Sequence, residues 1–222
     1  MSNPWLRLRR RRPFVLASDR KTVLDFNGRV SGKFSLDLSL LPEPWVGNLR
    51  APIVVLNLNP GIGSDNHAVH HGVPFRRAVR ANLEQRKTEY RHYYLDPAFA
   101  DTGGGHWWRK CLRKLIDEKK PSEWKLLARR VVGLEIHGYH SRSFKHIGAH
   151  LPSQEYTFRA LRKAMDRGAI VVVARGLKHW TAAIPELGHY ASLFQMKNPR
   201  VSSISPKNCP DGFEAVYERL HS

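Results

Sequence analysis

The sequence predicts an α/β fold, a three-layer α/β/α sandwich around a central, mainly parallel four-stranded sheet. Residues 53–58, 131–136 and 169–174 are aliphatic runs, as expected of strands covered on both faces in a parallel sheet. Between them stand segments whose apolar residues recur at helical spacing. Strands alternating with helices imply parallel strands with helices on both sides. A chain of 222 residues, 41% of them hydrophobic, suits one domain with a packed core rather than a disordered segment. No internal repeat is present.

Residues 1–20 read as a basic N-terminal arm, either a disordered tail or a segment that touches phosphates; residues 6–12 carry five arginines among two leucines. Residues 21–222 form the single domain. Its first part, 21–48, reads as an accessory hairpin region, because residues 22–40 alternate around Asn27-Gly28. Strand one follows at 52–58. The long polar connection 61–104 includes a helix within 74–91, marked by Phe75, Val79 and Leu83. Trp108, Cys111, Leu112, Leu115 and Ile116 share one helical face over 106–118, and 122–130 is a second helix with Ser122 as its N-cap. Strand two spans 131–136. Ser153 caps a helix running to Met165, strand three spans 169–174, and a helix follows at 176–184. Strand four, 192–196, ends at Asn198-Pro199, and residues 210–221 close the domain as a helix.

Lys and Arg number 37 against 19 Asp and Glu, a net charge of +18, which points to a polyanionic partner. No stretch reaches the roughly 18–20 apolar residues that span a bilayer, and the N-terminus lacks the apolar core of a signal peptide. The two cysteines, Cys111 and Cys209, cannot form a zinc ribbon or a four-cysteine iron–sulfur site, and they fit a reducing cytoplasm. DNA, double- or single-stranded, is the expected partner, with a monomeric, cytoplasmic, nucleoid-associated protein of bacterial or phage-related origin. No metal and no cofactor are expected.

The chemistry concentrates in loops that follow strands: 57–63, 137–141 and 198–203. Parallel strands bring these loops to one sheet edge, where open α/β sheets bind ligands. Asn59 stands where strand one ends; Pro60 biases it away from helical geometry, and Gly61 and Gly63 permit close backbone approach. Asp65 is an alternative catalytic carboxylate or a turn cap. His67, His70 and His71 suit phosphate contacts better than a metal, since no carboxylate cluster completes a ligand set. His137 and His140 serve either the pocket or the core. Arg109, Lys110, Arg113 and Lys114 form a solvated helix face or a phosphate-binding one.

Asn59-Pro60-Gly61 after a buried strand and Asn198-Pro199 after the last strand together resemble the two signature motifs of the uracil-DNA glycosylase superfamily. The nearest branch is the mismatch-specific uracil and thymine glycosylases, with motifs G-I-N-P-G and N-P-S. Gly104-Gly105-His106-Trp107-Trp108-Arg109-Lys110 resembles that branch's helix, which opens with an aromatic pair and a basic residue. The similarity spans roughly residues 50–221.

The resemblance implies hydrolysis of the N-glycosidic bond of a flipped pyrimidine, leaving an abasic site. Asn59 would position the water; Asn57, Pro60, Gly61 and Ile62 would cradle the base; Phe75 would stack on it; His137, His140 and Asn198 would contact it. Arg200 or Val201 would fill the gap in the duplex, and Ser202, Ser203, Arg109 and Lys110 would touch DNA. A wedge and a stacking ring are required because extrusion costs a few kcal/mol. Asn57 replaces the family's usual Gly, Arg200 its Ser, and no Tyr follows Pro60 to exclude a C5 substituent. A larger base, such as a hydroxymethylated or glucosylated cytosine of phage DNA, therefore joins uracil as an expected substrate, with a role in defence. The same departures allow a non-catalytic DNA-binding module on the glycosylase fold. A nucleotide-binding enzyme is disfavoured, since no strand is followed by G-x-G-x-x-G or a phosphate-loop Lys.

Overall fold

A computed structural model describes residues 2–63 and 66–222. In chain order its elements are α1 (Arg20–Arg29), β1 (Trp45–Gly47), β2 (Ile53–Leu56), α2 (Asn66–His71), α3 (Val73–Leu83), α4 (Gly103–Leu112) and α5 (Pro121–Arg130). They continue with β3 (Val131–Leu134), α6 (Gln154–Asp166), β4 (Ile170–Val173), α7 (Leu177–Ala183), β5 (Leu193–Gln195) and α8 (Phe213–His221). Among the described residues no helix is long and apolar enough to cross a membrane.

The α/β class is as predicted. The sheet, however, is five-stranded and mixed, in the order β1-β3-β2-β4-β5. Central β2 pairs in parallel with β3 and with β4, placing Ile53 opposite both Val131 and Ile170, and β5 extends the parallel part beyond β4. The additional strand, β1, lies antiparallel on the outer edge of β3. It left no periodic signal: three residues follow Pro42 and Pro44 and end in Gly47, too short a stretch for alternation to show. All four residues of β2 are 0% exposed, which is why this strand is continuously aliphatic. Each such side chain stabilises the fold by roughly 1.5–3 kcal/mol through burial.

From β2 the chain moves to β3 on one side, then crosses back to β4 on the other. Right-handed crossovers then place the intervening helices on opposite faces. Helices α5 and α8 pack together, α5 on β3 and α8 on β2 and β4. In the second crossover α6 meets α7 through Phe158 and Trp180, with ring centroids 5.9 Å apart. Gly133 has a steric reason: a Cβ there would come within 2.3 Å of the Trp108 indole, which lies on β3 at that point.

Two expectations fail. The accessory hairpin does not form. Val23 and Phe26, three apart, bury one face of α1. Asn27 instead acts as a clamp, donating from Nδ2 to Leu36 O at 2.8 Å and accepting from Leu36 N at 2.8 Å. Nor is 1–20 a free arm, because Trp5, Leu8, Phe14, Val15 and Leu16 are buried between exposed arginines. Trp5 packs on Tyr139 at 5.8 Å. The Tyr139 hydroxyl donates to Asp19 Oδ2 at 2.7 Å, and Asp19 Oδ1 accepts from Ser153 N at 3.1 Å. Smaller differences concern caps. Ser122 falls inside α5, which opens on Pro121, and Ser153 precedes α6 without a side-chain cap bond. Both cysteines are free and buried, and burial pushes the Cys111 thiol up to about 12.

Candidate functional site

The carboxyl ends of the parallel strands open onto a cavity of about 580 Å³. Residues 57–63 after β2 form one wall, Glu135 and 141–144 after β3 a second, and Arg175 after β4 a third. Gly103, Gly104, Trp107 and Trp108 of α4, with Glu43, Val46 and Tyr94, complete it. The position matches the rule that ligands bind where strand order reverses, here on either side of β2. A second cavity, about 110 Å³ around Asn82, Gln85 and Tyr90, has no comparable convergence.

Asn59 is held at the cavity wall by its amide nitrogen. Nδ2 donates to Pro60 O at 3.0 Å and to Ser141 Oγ at 2.9 Å, and Ser141 Oγ in turn donates to Ser143 O at 2.9 Å. No hydrogen bond among the described residues engages Asn59 Oδ1, which can accept from a water. A neutral amide oxygen orients water but takes no proton. The turn is also gripped from beneath. The ring nitrogens of His140 lie 3.1 Å from Gly61 O and 2.9 Å from Leu41 O, and the residue is 1% exposed. His140 therefore positions the Asn-Pro-Gly turn and does not line the cavity.

The cavity floor is polar and underpaired. Asn57 and Glu135 are buried, and Asn57 Oδ1 and Glu135 Oε2 have no hydrogen-bond partner among the described residues. Trp180 Nε1 fixes the Asn57 backbone by donating to its carbonyl at 2.8 Å. Burial first, and then the neighbouring Glu43, push the Glu135 carboxyl well above the usual range, which favours the protonated form that can donate a hydrogen bond. Glu43 is likewise raised by burial, against the opposing pull of His140 and Tyr94. The Tyr94 hydroxyl lies 3.0 Å from both Glu43 oxygens. A Cβ at Gly104 would overlap the Tyr94 ring at 2.2 Å, so glycine lets α4 close over this tyrosine.

Several predicted residues stand elsewhere. Phe75 is 2% exposed and enclosed by His70, Tyr93, Tyr94 and Phe99, with centroids 4.7–5.7 Å away. Pro74 in the first turn of α3 starts a helix that turns this ring inward, so it offers no face to a base. Tyr94, Trp107, Trp108 and Phe144 are the aromatics among the described residues that line the cavity. His137 is buried, its ring nitrogens have no hydrogen-bond partner among the described residues, it stacks on Phe144 at 5.7 Å, and burial pushes it down to about 3. It supports the wall from behind.

Asn198 does not reach the cavity. Its Oδ1 accepts from Arg200 N at 3.0 Å, which shapes the exposed loop carrying Arg200 and Val201. Buried Asn208 orders that loop: its Nδ2 donates to Val201 O at 2.8 Å and Ser203 O at 3.0 Å, and its Oδ1 accepts from Asn198 N at 2.9 Å. Ser202 is buried and Ser203 half-buried, so Ser202 presents little to a ligand. Arg175 Nε donates to Pro199 O at 3.2 Å and joins loop to cavity.

Arg109 is structural. It donates to Leu95 O at 2.9 Å and covers the Trp124 ring at 4.3 Å, while Lys110 is exposed. Asp65 lies outside the described residues. His70 is buried against Glu43 rather than set out for phosphate, so the carboxylate that the local sequence lacks comes from another segment. His67 pairs with Asp37 at 3.2 Å. Glu43, Glu135, Arg142 and Arg175 carry no spacing signal in the sequence; only their positions at strand ends would have marked them. Comparison with protein families, curated proteins and solved structures returned no match to this chain.

Proposed function

We propose that this protein is a DNA glycosylase, similar to the uracil-DNA glycosylase superfamily, acting on a flipped pyrimidine. The observation that carries this is Asn59, anchored through Ser141 at the edge of a cavity with an underpaired polar floor. Water held by Asn59 Oδ1 attacks the anomeric carbon as the N-glycosidic bond breaks; the bonding electrons leave with the base, and the proton the water sheds passes through solvent to the departing base, since Asn59 takes none. Glu135, held toward its protonated form, donates a hydrogen bond to the departing base, and Asn57 Oδ1 accepts one from it. Tyr94, Phe144 and Trp107 supply the apolar walls, the role Phe75 cannot fill. Exposed Arg200 and Val201 suit the duplex gap, and the +18 charge favours DNA.

A volume of about 580 Å³ falls in the range of about 300–1,000 Å³ typical of pockets for drug-sized ligands, roomier than a bare pyrimidine needs. This favours a modified cytosine of phage DNA, and a defence role, over uracil alone. Oligonucleotides carrying uracil, mispaired thymine, hydroxymethylcytosine or glucosylated cytosine, treated with protein and then alkali, test the proposal. Strand scission at one base, reduced on the order of 100-fold by Asn59→Ala, is expected. DNA binding without scission at any base would leave the second reading, a non-catalytic binding module. That reading draws on Asn59 being neutral and on both cavity carboxyls being held toward their protonated form.

A further inference from the structure

Behind the cavity wall lies a cluster that the proposed chemistry does not use as a unit. Glu43, His70 and His140 come from the segment before β1, from α2 and from the loop after β3. One ligand atom of each lies within 4.8 Å of the others. They are 3%, 3% and 1% exposed. His70 Nε2 is 3.7 Å from Glu43 Oε1, close to the roughly 3.4 Å edge of a tetrahedron with bonds of about 2.0–2.1 Å. The widest separation exceeds that edge, so binding would draw the three groups together.

His70 is the independent sign of a ligand. Its side chain is 1% exposed, yet neither ring nitrogen has a hydrogen-bond partner among the described residues. Buried polar atoms are ordinarily paired, and an imidazole wedged beside a carboxylate and a second imidazole lacks a purely apolar role. The surroundings resemble an outer ligand shell. Tyr94 holds the Glu43 carboxyl, and both His140 ring nitrogens lie against carbonyl oxygens, Gly61 O and Leu41 O; a neutral imidazole donates only one N–H, so an ion would replace one of these contacts and the other would orient the ring. Two imidazoles and one carboxylate suit zinc-like divalent ions better than magnesium or calcium, which prefer all-oxygen sites.

We propose that Glu43, His70 and His140 bind one divalent transition-metal ion of the zinc type. The ion ties α2 and the segment before β1 to the loop that grips the Asn-Pro-Gly turn. Its binding adds to folding stability, because the unfolded chain does not assemble the site.

Chelator-stripped protein, titrated with Zn²⁺ by calorimetry and melted with and without the ion, tests this in the absence of DNA. One tight equivalent is expected, with Tm raised by about 5–10 °C at a hundredfold excess over Kd. Both effects should vanish in Glu43→Gln and His70→Gln and persist in His71→Ala, which alters an exposed neighbour. Uptake and stabilisation that survive both cluster substitutions would assign the ion to surface histidines and overturn the site. Should those variants fail to fold, Co²⁺ added to the unaltered chain decides. Intense visible absorption of low-coordinate cobalt is expected, and the weak spectrum of the hydrated ion refutes the site.

Discussion

Asn208 is the sharpest test of how the loop after β5 is held. Replacing it with Ala removes the bonds to Val201 O, Ser203 O and Asn198 N, plus a weaker 3.4 Å contact from Nδ2 to Asn198 O. Three well-formed bonds at about 0.5–1.5 kcal/mol each, less some recovery as the exposed loop hydrates, give a loss of about 1–4 kcal/mol. For a chain of this size that lowers Tm by about 2–16 °C. Asn208→Asp should be worse, since it sets a carboxylate against carbonyl oxygens that now receive donors. Calorimetry supplies Tm, and hydrogen exchange supplies the local effect, concentrated in the amides of 198–203. An Asn208→Ala variant with wild-type melting and unchanged exchange in that loop would refute the assignment of the loop's order to one side chain.

Two pH dependences follow from buried groups. Burial pushes the His92 imidazole down to about 3, whereas in the unfolded chain it titrates near 6.5. The unfolded state therefore takes up its proton first. The stability is complete above pH ~6.5 and falls by up to about 1.4 kcal/mol per pH unit between there and about 3. His92→Phe should flatten that acid limb in denaturant melts, and equal slopes in the two proteins would contradict the burial argument. Glu135 has the opposite sign. Its folded carboxyl stays protonated above the unfolded value of 4.5, so stability is greatest below that pH and declines as pH rises toward the folded value. Glu135→Gln should gain on the parent protein from pH 4 to pH 8, and a constant difference in Tm would count against a protonated floor.

The strands were readable where burial on two faces forces continuous aliphatic sequence, as in β2 and β4. β1 was not, because an edge strand between prolines and a glycine has no room for a pattern. Asn27-Gly28 has the composition of a hairpin turn, but the i, i+3 pair Val23 and Phe26 buries one face of a helix there. The N-terminal arginines masked Trp5 and Phe14, whose burial depends on partners as distant as Tyr139. At the site, Asn59 was legible because proline and glycine punctuate the end of a buried strand. Glu43 and Glu135 were not, since a lone acid near a strand end reads as solvated until the fold removes the water. Phe75 shows the converse error: a motif can place an aromatic correctly in sequence while a helix start turns it into the core.

The Asp19 carboxylate, shared between the Tyr139 hydroxyl and the Ser153 amide, makes residues 2–19 a clasp onto the segments that follow β3. Tension or cleavage in that strap would be felt at Tyr139 and then at Ser141, whose hydroxyl aims Asn59. A tag or protease that engages the exposed arginines there would act on the same strap.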